Sequence, residues 1–285
     1  MESKDEAKKN GKVVSFINMK GGVGKTTLCV GIGEYLANYL DKKILFIDLD
    51  PQFNTTQSLM NHFDLEDEYM ENFRDNKSVR KLFKSSTTIS ELPKMVSPDE
   101  VIVSFEKAEN IDLICGNIDL IFDDNQSDSA RTRRVKKFIL DNKLKEVYDF
   151  IFIDCPPTIS FYTDAALNAS DYYLVPNRID RYSILGIKLL KQVIDRLAFD
   201  EDLQIKPLGI VYTMVNNATN KSQRIKDAFE DSSIVREIRI FDSQTSHVYD
   251  LMVGLQGNIS SSYKKSREDI QRVSEEFLRR IKEGE

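Results

Sequence analysis

Residues 20–27 read KGGVGKTT, after an apolar run at Val13–Ile17 and before an apolar helical stretch at Leu28–Leu40. A strand, a glycine loop and a helix start, in that order, make a cradle for polyphosphate. Backbone N–H groups close around an anion only where no Cβ intervenes, which is the use of Gly21, Gly22 and Gly24 on either side of Val23. The helix opening near Lys25 points the positive end of its dipole at the same place. Lys25 supplies a movable charge for the outer phosphates, the Thr26 hydroxyl suits a Mg²⁺ ligand, and Thr27 completes the loop.

Two further segments bring carboxylates to the same edge. Phe46–Leu59 reads FIDLDPQFNTTQSL, a strand ending in two aspartates one residue apart. Side chains at i and i+2 of an extended segment share a face, so Asp48 and Asp50 are both expected to look toward the phosphates. Tyr148–Pro157 reads YDFIFIDCPP, an apolar strand closed by Asp154. This is the Walker B arrangement, in which the aspartate holds Mg²⁺ through water. A buried strand-end carboxylate without a cation would be costly, which favours a place in the metal shell.

The loop departs from the usual G-x-x-x-x-G-K-[ST] pattern: Met19 stands where glycine belongs, and Lys20 adds a second lysine. This deviant Walker A loop, with DLDPQ, IDCPP and NIDLICGNIDL at Asn110–Leu120, resembles the ParA/MinD family of dimeric ATPases. The resemblance runs from about Val13 to the region of Gly254 and is closest to ParA-type DNA-partition ATPases. It implies ATP and Mg²⁺ as ligands, with Lys20 reaching across a homodimer interface to the phosphates held by the partner. By position, Asp50 would orient or activate the attacking water, and Asp48 would support the metal shell beside Thr26 and Asp154. The strand at Gly209–Thr213 would end near the purine, with Asn216 at the adenine edge. The family's ATP dimers bind nonspecific DNA and are stimulated by a ParB-like centromere-binding protein, so that plasmid or chromosome copies move apart.

One departure bears on DNA. Relatives carry a DNA-contacting arginine soon after the T-M pair of the last sheet strand, and here Ala218 falls at that place in TMVNNATNKSQR, Thr213–Arg224. Lys221 and Arg224 lie close by in sequence, and Arg178 and Arg181 stand in a loop that is usually acidic or neutral. With Lys264 and Lys265 they are expected to form a phosphate-contacting face of the dimer. Only about a dozen polar residues precede the first strand, which leaves no room there for a helix-turn-helix.

Other classes share parts of this pattern. A MinD-like membrane-cycling ATPase needs a basic amphipathic anchor, whereas this chain ends RRIKEGE after a helix with acids throughout. A positioning ATPase for a non-DNA cargo would share every catalytic residue. An iron–sulfur reductase would use paired bridging cysteines, absent here, and a dethiobiotin synthase would lack DLDPQ.

Composition is compatible with this reading. The 285 residues are 41% hydrophobic and 30% charged with a formal net charge of −6, an ordinary globular balance. No apolar run approaches bilayer length and the start, MESKDEAKKNGK, is polar, so a cytoplasmic protein with no membrane contact is expected, nucleoid-associated as the resemblance implies. Cys29, Cys115 and Cys155 are scattered and read as small buried residues. The basic run RTRRVKK at Arg131–Lys137 reads as a solvated helix face.

Short β-branched runs at Val13–Ile17, Ile44–Asp48, Ile111–Ile114, Phe150–Asp154, Tyr172–Val175 and Leu208–Tyr212 alternate with amphipathic stretches. The pattern predicts an α/β fold of three layers, a mostly parallel twisted sheet flanked by helices on both faces, of the P-loop NTPase kind. Residues 1–11 are expected to be a disordered leader and 12–285 one P-loop ATPase domain. Within it, 62–110 should form an irregular helical cap with turns near Pro93 and Pro98, and 264–282 a C-terminal helix. That helix carries Ile270, Val273, Phe277 and Ile281 at helical spacing, a packing face rather than a membrane anchor.

Overall fold

The computed structural model describes residues 9–83, 96–123, 130–201, 203–216 and 220–284. The strands run Lys12–Phe16 (β1), Ile44–Asp48 (β2), Val103–Phe105 (β3), Ala108–Ile114 (β4), Phe150–Asp154 (β5), Tyr172–Asn177 (β6) and Lys206–Tyr212 (β7). They form one sheet in the order β3-β4-β2-β5-β1-β6-β7. Every neighbouring pair is parallel except β3 with β4. The two strands that end in Asp48 and Asp154 are adjacent and in register, so their carboxylates meet.

Strands β2, β5 and β6 are largely apolar on both faces because each face is covered. Alternate residues, such as Val14, Phe46 and Phe152, face one cluster that contains the helices Lys25–Leu40 (α1) and Asn54–His62 (α2). Their neighbours Val13, Leu45 and Ile151 face the opposite cluster. That second layer holds Arg134–Asp141 (α3), Phe161–Ala169 (α4), Ser183–Glu201 (α5), Asn220–Glu230 (α6) and Ser233–Ile238 (α7). The last helix, Lys264–Gly284 (α8), returns to the α1 side. Helix α1 is buried from Leu28 to Ala37 on all sides. It has no polar face because it lies between the sheet and α8.

Three expectations need correction. The segment expected to be a helical cap contains β3. Its inward Val103 and Phe105 alternate with the exposed Ser104 over three residues, too short a period-2 signal to stand out. Short helical pieces do occupy 66–76 and Arg80–Phe83, while Pro93 and its turn lie outside the described residues. The run expected at Tyr172–Val175 continues as β6 through Pro176 to Asn177. The Pro176 carbonyl accepts from Asn18 Nδ2, so its missing N–H faces the same side, beyond the end of β1, where no ladder bond is lost. Finally, RTRRVKK is a solvated face at Arg133, Lys136 and Lys137, which are exposed, but not at Arg131. Arg131 is buried 4.1 Å over the Phe161 ring, Arg133 pairs with Glu201 and Lys137 with Asp141.

The apolar stripe of α8 is buried, with Ile270, Val273, Phe277 and Ile281 in the core. It is therefore unavailable as a membrane anchor, and among the described residues no helix is long and apolar enough to cross a membrane. Buried Glu276 fixes this helix to the loop after α7. Its carboxylate accepts from the backbone of Asp242 and Ser243, from the Ser243 hydroxyl and from Arg280, whose guanidinium also donates to the carbonyls of Leu208 and Ile240. Glu276→Ala should lower stability to urea by about 3 kcal/mol, because it removes the carboxylate paired with the largely buried Arg280 guanidinium. Burial alone would raise the Glu276 pKa, but these donors outweigh it and hold it below the ordinary carboxylate value. A depressed carboxylate stabilises the fold above the unfolded pKa, and that contribution fades as pH falls through the folded value. Acid titration of urea stability should show this loss, and Glu276→Gln should flatten it.

Candidate functional site

The loop between β1 and α1 opens at the C-terminal edge of the sheet, where ligands bind in open α/β folds. Gly22 and Gly24 take φ of 68° and 80°, left-handed values that glycine adopts without strain. A Cβ on Gly21 or Gly22 would meet no atom within 4 Å, so both backbones face open space where an anion fits. Buried Lys25 reaches back to within 3.5 Å of the Lys20 carbonyl, and Val23 is buried with its carbonyl accepting from Thr213 Oγ1 at 2.7 Å. Thr213 thus ties the end of β7 to the loop.

A cleft of about 480 Å³ extends from this loop. Gly21, Gly22, Gly24, Lys25, Thr26 and Thr27 line one end, with Asp50, Gln52 and Pro157 nearby. Thr213 and Met214 stand beside Gly24, and Thr245, Ser246, Val248, Leu251, Met252 and Asn258 also line the cleft. Asn216, expected at the adenine edge, is exposed and does not line the cleft, whereas Met214 and residues of the 245–252 segment do. The chain turns away after Met214, which has φ 53°, and Val215 bridges to Ser246, carrying Asn216 past the cleft.

The carboxylates divide differently from their expected shared face. Strand β2 stops at Asp48, so the i, i+2 rule lapses, and only Asp50 lines the cleft. Asp48 is fully buried behind it. Its Oδ2 accepts from the N–H and hydroxyl of Thr56 at 2.8 and 2.7 Å, and its Oδ1 from the Asp50 N–H at 3.3 Å. Asp48 therefore supports the site by bracing the first turn of α2. Burial, and then the neighbouring Asp154, push its pKa well above the ordinary value. Asp50 accepts from the Gln52 N–H at 2.9 Å and is raised by burial, with that bond and Lys25 opposing.

Asp154 Oδ2 accepts from Thr26 Oγ1 at 2.7 Å and from Thr55 Oγ1 at 2.8 Å. Its Oδ1 is buried with no hydrogen-bond partner among the described residues. Burial pushes its pKa up to about 6, against the pull of Thr26, Lys25 and Thr55. A buried, bare carboxylate oxygen beside a threonine hydroxyl at a phosphate loop fits a hard divalent cation completed by phosphate and water. Among the described residues no group of three or more His, Cys, Asp or Glu is placed to hold a metal ion by itself.

Lys20 stands on the rim and pairs with Asp180, in the turn that opens α5. Burial, and then the charge of Arg178, lower the Lys20 pKa, which places Arg178 beside it at this edge. Arg178, Arg181, Lys221, Arg224, Lys264 and Lys265 are all exposed and form no ion pair among the described residues. Ala218 lies outside the described residues.

Sequence reasoning did not pick out Thr55, Thr56, Asp180, Thr213 or Gly116. Gly116 lies in the ICGN stretch, and a Cβ there would sit 2.8 Å from Asp48 Cγ and 2.8 Å from Phe53 Cβ. Phe53 is itself in a left-handed turn with φ 43°, held by its N–H to the Asp50 carbonyl and by stacking on Tyr69. Gly116→Ala should displace this turn and lower turnover by roughly 10-fold to 100-fold, since a 1 Å misplacement of a reacting group has effects of that size. Nucleotide affinity, measured by fluorescence titration, should change far less.

Comparison with known proteins agrees with this geometry. The AAA domain family matches residues 11–206. The sporulation initiation inhibitor protein Soj of Bacillus subtilis is 30% identical over 244 residues, covering 82% of this chain and 87% of Soj. The ATP complex of a single-site variant of McdA from Cyanothece superposes with a TM-score of 0.76 at 21% identity, covering 95% of this chain and 97% of McdA. A putative plasmid partition protein from Borrelia burgdorferi B31 bound to AMPPNP gives a TM-score of 0.73 at 20% identity, covering 95% of this chain and 99% of that one. With its lysine-led glycine loop, paired strand-end aspartates and Soj-like sequence, the chain belongs to the ParA-type family of P-loop partition ATPases.

Proposed function

We propose that this protein is an ATP-operated dimeric switch for DNA partition. The observation that carries the reading is the set of hydrogen bonds at Asp154, where a P-loop threonine sits beside a bare buried oxygen suited to a cation. When bound, Mg²⁺ would neutralise phosphate charge between Thr26 and Asp154. Lys25 and the loop N–H groups hold the β- and γ-phosphates, Asp50 orients the attacking water, and the partner's copy of Lys20 stabilises the charge developing on the γ-phosphoryl group. Met214 and the 245–252 wall receive the base. ATP then bridges two subunits, and hydrolysis parts them.

Lys20 sits well for this role. It is held by Asp180 at the open rim instead of inside its own cleft, ready to exchange a carboxylate for phosphate when a second subunit closes. The ATP dimer binds nonspecific duplex DNA through Arg181, Lys221, Arg224, Lys264 and Lys265, with Arg178 at the edge beside Lys20. A ParB-like centromere-binding protein stimulates turnover. With about six phosphate contacts, the logarithm of DNA affinity should fall with the logarithm of salt concentration at a slope of roughly −5. Retention of ATP-loaded protein on random duplex DNA checks this, and binding indifferent to salt would remove DNA from the reading. Cargo positioning, or a MinD-like membrane cycle, would then take its place. The decisive experiment for the switch is ATP hydrolysis with and without DNA and the candidate partner, where both together should raise turnover.

A further inference from the structure

Consecutive threonines at the first turn of α2 serve two different carboxylates. Thr56 donates its N–H and hydroxyl to Asp48, while Thr55 donates its hydroxyl to Asp154, and both threonines are fully buried. Asp48 and Asp154 are register partners on adjacent strands, so one helical turn clasps the ends of both. The same turn begins just after Asp50, Gln52 and the left-handed Phe53.

At Asp154 the two hydroxyls of Thr26 and Thr55 converge on a single oxygen, Oδ2, and leave Oδ1 bare. This fixes the carboxylate rotamer and selects which oxygen is presented to a cation. Thr26 belongs to the phosphate loop and Thr55 to the segment that carries Asp50. The carboxylate is therefore the point where the loop and that segment are joined.

We propose, resting on the magnesium-nucleotide reading above, that Thr55 is a positioning residue which couples occupancy of the metal site to the placement of the Asp50 turn. Without its hydroxyl, Asp154 keeps one donor and is free to rotate, and the start of α2 loses its tie to the metal-facing group. Partners in the outer shell of a metal site influence metal affinity by about 10-fold to 100-fold, well beyond the effect of an ordinary surface bond.

The test uses the full chain, MgCl₂ and a fluorescent ADP analogue. Thr55→Val keeps the shape and removes the hydroxyl, and Thr55→Ser keeps the hydroxyl and removes the methyl. The Mg²⁺ concentration giving half-maximal nucleotide binding should rise about 10-fold in Thr55→Val and stay within about twofold of wild type in Thr55→Ser. Hydrogen exchange across residues 50–59 should slow on adding Mg²⁺ with ADP in wild type and Thr55→Ser, and should not slow in Thr55→Val. If Thr55→Val fails to fold, Thr55→Ala is compared with Thr55→Ser on the same readouts. A hydroxyl-free variant with the wild-type Mg²⁺ midpoint and wild-type protection overturns the coupling while leaving the magnesium-nucleotide reading intact. Wild-type nucleotide binding that ignores Mg²⁺ overturns both.

Discussion

Replacing Lys20 with alanine is expected to lower partner-stimulated ATP turnover by about 10³-fold while leaving ATP binding to the isolated subunit near wild type. A cation delivered across an interface in related phosphoryl-transfer systems accelerates the reaction by about 10³-fold to 10⁵-fold, because it meets charge that develops only in the transition state. The cleft already contains Lys25 and the loop N–H groups for ground-state binding. Lys20, paired to Asp180 on the rim, adds little to that ground state. Single-turnover phosphate release checks the size of the effect. Mixing Lys20→Ala with Asp50→Ala subunits checks its direction. In a mixed dimer, the site with an intact Asp50 receives Lys20 from its neighbour, and the other site lacks both. Half of randomly formed dimers are mixed and half of their sites are complete, so activity should recover to about a quarter of wild type. Recovery absent from the mixture would mean that Lys20 acts within its own subunit.

Asp50→Asn is expected to lower turnover by about 10²-fold to 10³-fold and to trap the ATP-bound dimer. The substitution keeps size and removes the carboxylate that orients or activates water. Asp50 is the right target because it alone of the Asp48–Asp50 pair lines the cleft, where the Gln52 N–H holds it at 2.9 Å. Asp48→Asn should act differently. Both Asp48 oxygens accept bonds from the α2 turn and the segment leading into it, so its loss should appear first as lowered thermal stability. Sedimentation with ATP and Mg²⁺ should find Asp50→Asn as persistent dimers where wild type cycles. A monomeric Asp50→Asn that binds ATP normally would assign the carboxylate to assembly in place of chemistry.

The order of motifs along the chain determined much of this protein. A glycine-rich loop, a lysine at each end of it, and strands closed by aspartates are local patterns. Each one constrains the backbone within a few residues, so KGGVGKTT, DLDPQ and IDCPP could be read directly, as could the alternation of buried strands with helices. What tertiary structure decided concerns partners far apart in sequence. Thr55 meets Asp154 at a separation of 99 residues, Thr213 meets Val23 at 190, and Lys20 meets Asp180 at 160. Part of the cleft's wall comes from residues 245–252, a segment with no motif of its own, whereas Asn216, close to the strand end in sequence, does not line it. Nor could the run RTRRVKK be sorted from Lys221 or Arg224 by charge alone, since pairing with Glu201 and Asp141 is a matter of packing. Period and loop chemistry are properties of neighbouring residues. Which carboxylate braces a helix and which is left with a bare oxygen depends on where the strand ends and what folds back over it.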